Sequence, residues 1–343
     1  MEIKLNKNNK EKLDKILETK EANIVISDML LHFFEEDLSN YKIHNERDFL
    51  EAFMNTCGFD KKNQNDVVIA TKYIGENLKQ IDQNIVTENP YFKTVKPSLK
   101  KYGNYKLALD HFYPYQGFSY SDIIVDENDS YIEKYCIGYF DKKVNVLALS
   151  YKNDIWMNIS PNEIITMQPS IDEAFGNVLV LGLGLGYYPF MVSLKSQVSS
   201  ITVVEKDENI IKIFKDNIYK YFPYKNKIKI VHADAFDYIK THLDFDYCFV
   251  DLWHNPIDGL PLYLEFKKHE NKNTKYAYWL EAGIKAMYRR CVLIVLEELL
   301  NGSTDNDYKK ANNEIDKIIN KIYFDNKQKT INCFEEIESL INI

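Results

Sequence analysis

A glycine-rich turn is the part of the sequence that is best suited to hold a ligand. It reads GLGLG over residues 182–186, it follows an apolar strand-like run, and a helical pattern comes after it. Because glycine lacks a Cβ atom, the backbone there can turn sharply and lie against a ligand at the N-terminus of the next helix. The turn therefore predicts a nucleotide-type binding loop at Gly182, Gly184 and Gly186.

The spacing of this turn argues against a pyrophosphate cofactor. A dinucleotide fingerprint needs a third glycine three residues after the second, and the two frames place Tyr187 or Pro189 there. No Lys-Ser/Thr pair follows to make a P-loop. The turn suits instead a nucleoside with an amino-acid tail, because such a ligand needs close backbone approach but no pyrophosphate cradle.

Acidic residues follow three further strand-like runs. Residues 199–205 end at Glu205, which lies about twenty residues after the turn, as a ribose-binding acid does. Residues 228–231 lead to Asp234, which could accept a hydrogen bond from an adenine amino group, cap the next helix, or do both. Residues 247–250 lead to Asp251. In a parallel sheet the carboxyl ends lie along one edge, so these acids are expected to share one site.

Four segments resemble the class I S-adenosylmethionine-dependent methyltransferases, and more closely the spermidine synthase-like branch of that superfamily. They are VLVLGLGLG at 178–186, VVEKDE at 203–208, HADAFDYI at 232–239 and DYCFVDLW at 246–253. The resemblance covers roughly residues 143–258 and implies S-adenosylmethionine as the cofactor. The cofactor-binding residues that it implies are Gly182, Leu183, Gly184, Gly186, Glu205, Lys206, Asp234 and Ala235.

Two departures from that branch favour methyl transfer. Aminopropyltransferases carry an acid in the glycine turn, where this chain has Leu185, and a DSSDP-like segment, where this chain reads DLWHNP from Asp251. The resemblance then implies an S-adenosylmethionine-dependent methyltransferase that acts on an unidentified small molecule. Aminopropyl transfer from a decarboxylated cofactor is the alternative, and non-catalytic binding of an adenosyl ligand is the third hypothesis. A second acid beside the site, for example from residues 156–170, would favour aminopropyl transfer.

Methyl transfer from a sulfonium requires mainly in-line positioning and exclusion of water. Asp251 and His254 follow the fourth strand, where an acceptor would lie, and either could orient an acceptor amine or take its proton. Trp253 could form an apolar or cation-binding wall of the acceptor site. Asp251 and His254 are thus the catalytic candidates, and Trp253 is a candidate for substrate contact.

The segment 156–170 comes directly before the turn and is expected to cross the cofactor pocket. Asn162, Glu163 and Gln168 are therefore further candidates for contact with the substrate. For each of them, a role as a helix cap or a surface residue is the favoured interpretation. Of the three, Gln168 is taken as the substrate-contact candidate.

These residues must be positioned by strands and helices. The order of the strand-like and helical segments, with the resemblance, predicts an α/β fold with a doubly wound, Rossmann-like methyltransferase sheet in residues 161–300. Residues 1–90 show apolar spacings of three and four, which indicate an N-terminal helical region. Residues 91–160 contain short β-like runs and resemble the small β domain of spermidine synthases. A fifth strand of the main sheet is predicted at 275–280. Residues 301–343 form a C-terminal helical extension that could be a lid or a subunit contact, so a homodimer is considered.

Composition excludes several kinds of partner. The 43 basic and 51 acidic residues give a net charge of −8, which argues against a nucleic-acid-binding surface. No apolar stretch approaches a membrane span, the N-terminus has no secretory pattern, and five dispersed cysteines fit reduced thiols. We therefore expect a cytoplasmic enzyme without a metal site, whose partner is a small-molecule acceptor. Arg289 and Arg290 are adjacent and could form an anion site, but a surface pair is the default interpretation.

Overall fold

The computed structural model describes residues 1–35 and 41–343, and its N-terminal part is mainly helical. Asparagine side chains cap three of the helices, where a side-chain oxygen accepts a hydrogen bond from a main-chain N–H that would otherwise lack a partner. The elements of this part are β1 Glu2–Ile3, α1 Lys7–Glu35, α2 Glu46–Thr56, α3 Gln64–Tyr73, β2 Lys79–Gln80, α4 Asn84–Thr87 and α5 Pro90–Thr94.

Helix α1 joins two hydrophobic cores. Its first half buries Leu13 and Ile16 in the main core of the protein, whereas its second half buries Leu30 and Phe33 in a smaller core with α2 and α3. A helix that is buried at both ends by different partners ties the N-terminal region firmly to the rest of the chain.

Short strands make up the region between the N-terminal helices and the main sheet, as the sequence predicted. They are β3 Lys101–Tyr102, β4 Tyr105–Phe112, β5 Phe118–Ser119, β6 Ile124–Asp126, β7 Ile132–Lys134, β8 Ile137–Tyr139, β9 Val144–Tyr151 and β10 Asp154–Asn158. The largest sheet of this region has the antiparallel order β10-β9-β4-β3, and β2 joins β8 and β5 in another. Strand β10 leads directly into the main domain.

A five-stranded parallel sheet flanked by helices forms the centre of the protein and confirms the predicted doubly wound α/β fold. Its strand order is β13-β12-β11-β14-β15. The chain runs outward from β11 in one direction and then crosses to β14, so the switch point at which such sheets bind ligands lies between β11 and β14. The elements are α6 Pro161–Glu173, β11 Gly176–Leu181, α7 Tyr187–Ser193, β12 Val198–Glu205, α8 Glu208–Asn217, β13 Ile228–His232, α9 Ala235–Ile239, β14 Tyr247–Val250, α10 Pro256–Lys267, β15 Lys275–Tyr278 and α11 Glu281–Leu300.

The C-terminal extension packs on α11, and its strand closes onto the other end of the chain. It comprises α12 Glu314–Asn326, β16 Thr330–Ile331 and α13 Phe334–Ile341. Strand β16 pairs in parallel with β1, and both α12 and α13 contact α11. None of the helices in the described part of the chain combines the length and the apolar composition needed to cross a membrane.

The interpretation of Arg289 and Arg290 as a surface pair is wrong. Arg289 is 6% exposed, and Arg290 forms an ion pair with the buried carboxylate of Glu133. Both arginines lie on α11, which the N-terminal helix, the β6–β7 hairpin and the C-terminal extension cover from several sides. The apolar side chains of α11 are buried, and the elements that cover its polar positions come from distant parts of the chain.

Gly186 begins α7 with a φ of 77°, and a Cβ atom there would lie 2.3 Å from the Phe214 ring. We expect Gly186→Ala to lower the free energy of unfolding by about 2–4 kcal/mol, from left-handed strain and overpacking together. Gly103→Ala is the control, because Gly103 has a φ of 59° but nothing within 4 Å of the added atom. It should cost only about 1–2 kcal/mol. Urea denaturation measures both losses, and equal losses would show that Phe214 moves aside.

Candidate functional site

A cavity of about 640 Å³ opens at the carboxyl edge of the central sheet. Its size is that of pockets for small-molecule ligands and cofactors. The wall is built by the glycine turn, by the ends of β12, β13 and β14, and by the segment from β10 into α6. The sequence-predicted residues that line it are Gly182, Leu183, Gly184, Glu205, Lys206, Asp234, Ala235, Asp251, Trp253 and His254, together with Asn162 and Glu163.

Two predicted residues do not line the cavity. Gly186 lies behind it, where its left-handed conformation starts α7. Gln168 lies on another face of α6, and its amide donates a hydrogen bond to Asp172 Oδ1 at 2.7 Å. The substrate contact predicted for Gln168 is therefore not supported, because the segment is a helix and its period turns Glu163 and Met167 to the cavity instead.

The glycine turn leaves main-chain atoms open to the cavity. Gly182 has a φ of 102°, and a Cβ atom there would lie only 2.0 Å from the main-chain oxygen of Asp251. Gly184 also has a positive φ, of 50°, but nothing lies within 4 Å of the position that a Cβ would occupy. Gly182 is thus required by packing, whereas the space beside Gly184 is free for a ligand.

Glu205 holds the turn and the end of β12 together. Its two carboxylate oxygens accept hydrogen bonds from different main-chain N–H groups, of Leu183 at 3.1 Å and of Asp207 at 2.8 Å. Each oxygen keeps a lone pair, so the carboxylate can still accept hydrogen bonds from ribose hydroxyls. Asp207 in turn caps α8 and accepts a hydrogen bond from the Tyr105 hydroxyl at 2.9 Å, which joins this corner to the small β region.

Asp234 caps α9, so that one of its two possible roles is confirmed. Its Oδ1 accepts hydrogen bonds from the N–H groups of Phe236 at 2.9 Å and Asp237 at 3.3 Å. Its Oδ2 has no partner among the described residues, so the predicted adenine contact remains open to it. Ala235 is buried beside it, and Lys206 is exposed at the rim of the cavity.

Asp251 and Glu163 bring two carboxyl groups to the same cavity from different elements. Burial, and secondarily the negative charge of Glu205, raises the pKa of Asp251 to about 7. Burial, and secondarily Asp251, raises the pKa of Glu163 well above its ordinary value. Neither carboxyl group has a hydrogen-bond or ion-pair partner in the described part of the chain. A cation in the cavity would lower the free-energy cost of ionising both carboxyl groups.

Trp253 and Trp279 form the apolar side of the cavity. The indole N–H of Trp253 donates to the main-chain oxygen of Trp279 at 2.9 Å, and the indole N–H of Trp279 donates to Thr166 Oγ1 at 2.8 Å. The sequence interpretation missed Trp279. Its position within the predicted fifth strand was the available signal, because that strand ends at the same edge of the sheet.

His254 lies at the rim of the cavity, and its side chain is 63% exposed. Its Nδ1 is 3.1 Å from Asp258 Oδ2. The same Asp258 belongs to the capping box that starts α10 with Asn255. His254 is therefore placed for exchange with solvent rather than deep in the acceptor region.

The accessory regions contribute unequally to the site. The β region supplies the wall from Ile155 to Ser160, and the N-terminal region supports the turn through the Tyr91 hydroxyl, which donates to the Leu185 carbonyl at 2.6 Å. No residue of 301–343 lines the cavity. The suggestion that this extension is a lid is therefore not supported. Within residues 1–35 and 41–343, no group of three or more His, Cys, Asp or Glu side chains is arranged to hold a metal ion.

Residues 160–297, which contain the glycine turn and all three strand-end acids, match the family model of the spermine/spermidine synthase domain. The resemblance of this segment to the spermidine synthase-like branch of the S-adenosylmethionine methyltransferase superfamily is thereby confirmed. The matched residues begin at the cap of α6 and end within α11. They therefore include both acids of the carboxyl pair.

Solved structures that match part of this chain include a spermidine synthase in complex with the transition-state analogue AdoDATO, with 16% identity, a TM-score of 0.32 and coverage of 43% of this chain and 58% of that one. Spermidine synthase from Thermotoga maritima has 16% identity, a TM-score of 0.30 and coverage of 43% and 59%. The C-terminal domain of precorrin-6Y C5,15-methyltransferase from Rhodobacter capsulatus has 15% identity, a TM-score of 0.27 and coverage of 34% and 59%. The chain spans less than two thirds of the length of each. No curated protein matches the chain significantly.

The raised pKa of Asp251 predicts a loss of stability with rising pH. In the unfolded chain the carboxyl group releases its proton near its ordinary pKa of 3.8, but in the folded protein it does so near 7. The contribution of the protonated carboxyl group to the free energy of unfolding is therefore fully present below about pH 4 and is lost as the pH rises to 7. We expect Asp251→Asn to reduce this loss, as measured by urea denaturation between pH 4 and 8. The control is Asp14→Asn, at an exposed position on α1. If Asp251→Asn loses as much stability between pH 4 and 8 as the wild type does, the assignment is contradicted.

Proposed function

We propose that the protein transfers a methyl group from S-adenosylmethionine to an amine of a small cationic acceptor. The observation that carries this proposal is the pair of partnerless carboxyl groups, Asp251 and Glu163, that face one cavity beside the glycine turn. Anionic groups without a cationic partner suit a ligand that brings positive charge with it.

The charge of the cavity supports a sulfonium cofactor. Among its described lining residues, five are acidic and Lys206 alone is a lysine or arginine; the acids are Glu163, Glu205, Asp207, Asp234 and Asp251. Glu205 would accept hydrogen bonds from the ribose hydroxyls, Asp234 Oδ2 and Ala235 would contact the adenine, and the main chain from Gly182 to Gly184 would bind the amino-acid tail. S-adenosylmethionine supplies a methyl group that is already activated by the sulfonium.

The protein must then position and deprotonate the acceptor. An acceptor ammonium passes its proton to an oxygen of Asp251, and its freed lone pair forms the new N–C bond while the C–S electron pair stays on sulfur. A base with a pKa of about 7 is suited to this step near neutral pH. Glu163 holds the acceptor from the opposite element, and Trp253 and Trp279 exclude water on the third side.

Aminopropyl transfer from the decarboxylated cofactor is the second candidate. Glu163 favours it, because it is an acid from segment 156–170 beside the site, which is the feature that separates this hypothesis from methyl transfer. Leu185 opposes it: its apolar side chain is 6% exposed and stands where aminopropyltransferases carry an acid for the amine of the transferred group. Methyl transfer is therefore placed first. His254 remains a predicted second base at the rim.

Binding of the cofactor can be tested at Gly184. In Gly184→Ala the added methyl group would enter the open space beside the turn, so we expect the affinity for S-adenosylmethionine to fall at least about tenfold, or about 1.4 kcal/mol. Gly103→Ala, which carries only left-handed strain, should bind as tightly as the wild type. Isothermal titration calorimetry with S-adenosylmethionine, its decarboxylated form and S-adenosylhomocysteine measures this. Failure of the wild type to bind any of the three would refute both transferase proposals.

Glu163→Gln separates the two transfers. For methyl transfer, we expect the affinity for S-adenosylmethionine to change less than about twofold and the KM for an amine acceptor to rise about tenfold or more, because Glu163 holds only the acceptor. For aminopropyl transfer, the affinity for the decarboxylated cofactor should fall as well. The matched control is Glu173→Gln on the same helix, where Glu173 pairs with Lys275 at the surface. Calorimetry measures the affinities. Reactions with a panel of amines, followed by product mass, give the KM and identify the transferred group. An unchanged KM would remove Glu163 from the site.

A further inference from the structure

A cluster of buried positive side chains lies at the junction of α1, β7 and α11 and shares no residue with the candidate site. Lys20 pairs with Glu297, and Arg290 pairs with Glu133. Arg289 is the third cation of this cluster, and it has no ion-pair partner among the residues that the structure describes. Two of the three positive charges are thus neutralised within the protein, and one is not.

The guanidinium of Arg289 is only partly satisfied. It lies over the Tyr131 ring at 4.4 Å from the ring centre, and its Nη2 donates to Asn342 Oδ1 at a long 3.4 Å. Its Nε and Nη1 are buried and have no hydrogen-bond partner. Since an arginine remains charged in proteins, Arg289 keeps both an unpaired charge and unused donors in the interior.

Such a group is costly unless something pairs with it. Burying a polar donor without an acceptor, or a charge without a counter-charge, is strongly unfavourable. Burial accordingly lowers the pKa of Arg289. Glu133 and Glu127 both favour the charge of Arg289, but the carboxylate of Glu133 already accepts hydrogen bonds from Nε and Nη2 of Arg290.

A small cavity adjoins these groups. Its volume is about 10 Å³, and the polar residues that line it are Lys20, Asn23, Ser130, Tyr131, Glu133, Arg289 and Arg290. This is roughly the space that one water molecule or one monatomic ion occupies. A water molecule could accept a hydrogen bond here but would leave the charge of Arg289 uncompensated, whereas an anion would do both.

We propose that this cavity binds one small monovalent anion, with chloride as its simplest occupant, on the unpaired guanidinium of Arg289. The site joins three parts of the chain: Lys20 and Asn23 come from α1, Tyr131 from the β6–β7 hairpin, and Arg289 from α11. The anion thereby fastens α1 and the β6–β7 hairpin to α11 of the central domain. Because the unfolded chain has no such site, the anion stabilises the folded protein in proportion to its occupancy.

Thermal unfolding in chloride and in gluconate at equal ionic strength and pH tests this proposal. We expect the unfolding temperature of the wild type to be higher in chloride by about 2 °C or more, with saturation as chloride is raised. Arg289→Met, which keeps a long side chain over Tyr131 but removes the charge, should lose this difference. Arg47→Met is the matched control, because Arg47 is exposed on α2 and its loss should leave the chloride effect unchanged.

Equal unfolding temperatures of the wild type in the two salts would overturn the proposal and leave a water molecule as the occupant. Chloride nuclear resonance on the wild-type protein provides a second measurement that holds even if Arg289→Met does not fold. Saturable line broadening that bromide relieves would support the site. Broadening that grows linearly without saturation would refute it.

Discussion

The close approach of two strand ends constrains the whole cavity. A Cβ atom on residue 182 would lie 2.0 Å from the main-chain oxygen of Asp251, so β11 and β14 can meet in this way only because residue 182 is glycine. The Asp251 N–H donates to the Leu181 carbonyl at 2.9 Å and fixes the same contact from the other side. The main chain that would face a cofactor and the acid that would face an acceptor are therefore parts of one rigid arrangement at the switch point of the sheet.

This arrangement has an energetic cost. Burial and the charge of Glu205 raise the cost of ionising Asp251, burial and the charge of Asp251 raise that of Glu163, and nothing in the described part of the chain compensates either acid. Outside the cavity the same protein neutralises a buried acid, since Glu133 forms an ion pair with Arg290. Destabilising acids that converge on an open cavity are typical of functional sites, where a ligand or a reaction uses them.

Much of this site could be predicted from the sequence, because it depends on local order. The strands predicted at 199–205, 228–231 and 247–250 appear at Val198–Glu205, Ile228–His232 and Tyr247–Val250, and the rule that parallel strands end at one edge brought their acids together. The environments of Trp279 and Arg289 could not be predicted in this way. They depend on contacts between distant segments, such as Trp279 with Thr166 of α6 and Arg289 with Asn342, which no local spacing encodes.

Glu163 shows where local reasoning ends. Residues 160–163 read SPNE, which is the pattern of a capping box, and half of that box forms, since Ser160 Oγ accepts from the Glu163 N–H at 3.2 Å. The carboxylate of Glu163 does not return to the Ser160 N–H and faces the cavity instead. Asn162 anchors this turn of α6 to the β region by donating to the Ser121 carbonyl at 3.2 Å. The second acid of the site is thus positioned by a domain that contributes no acid of its own, so the chemistry of the cavity depends on how the β region holds α6.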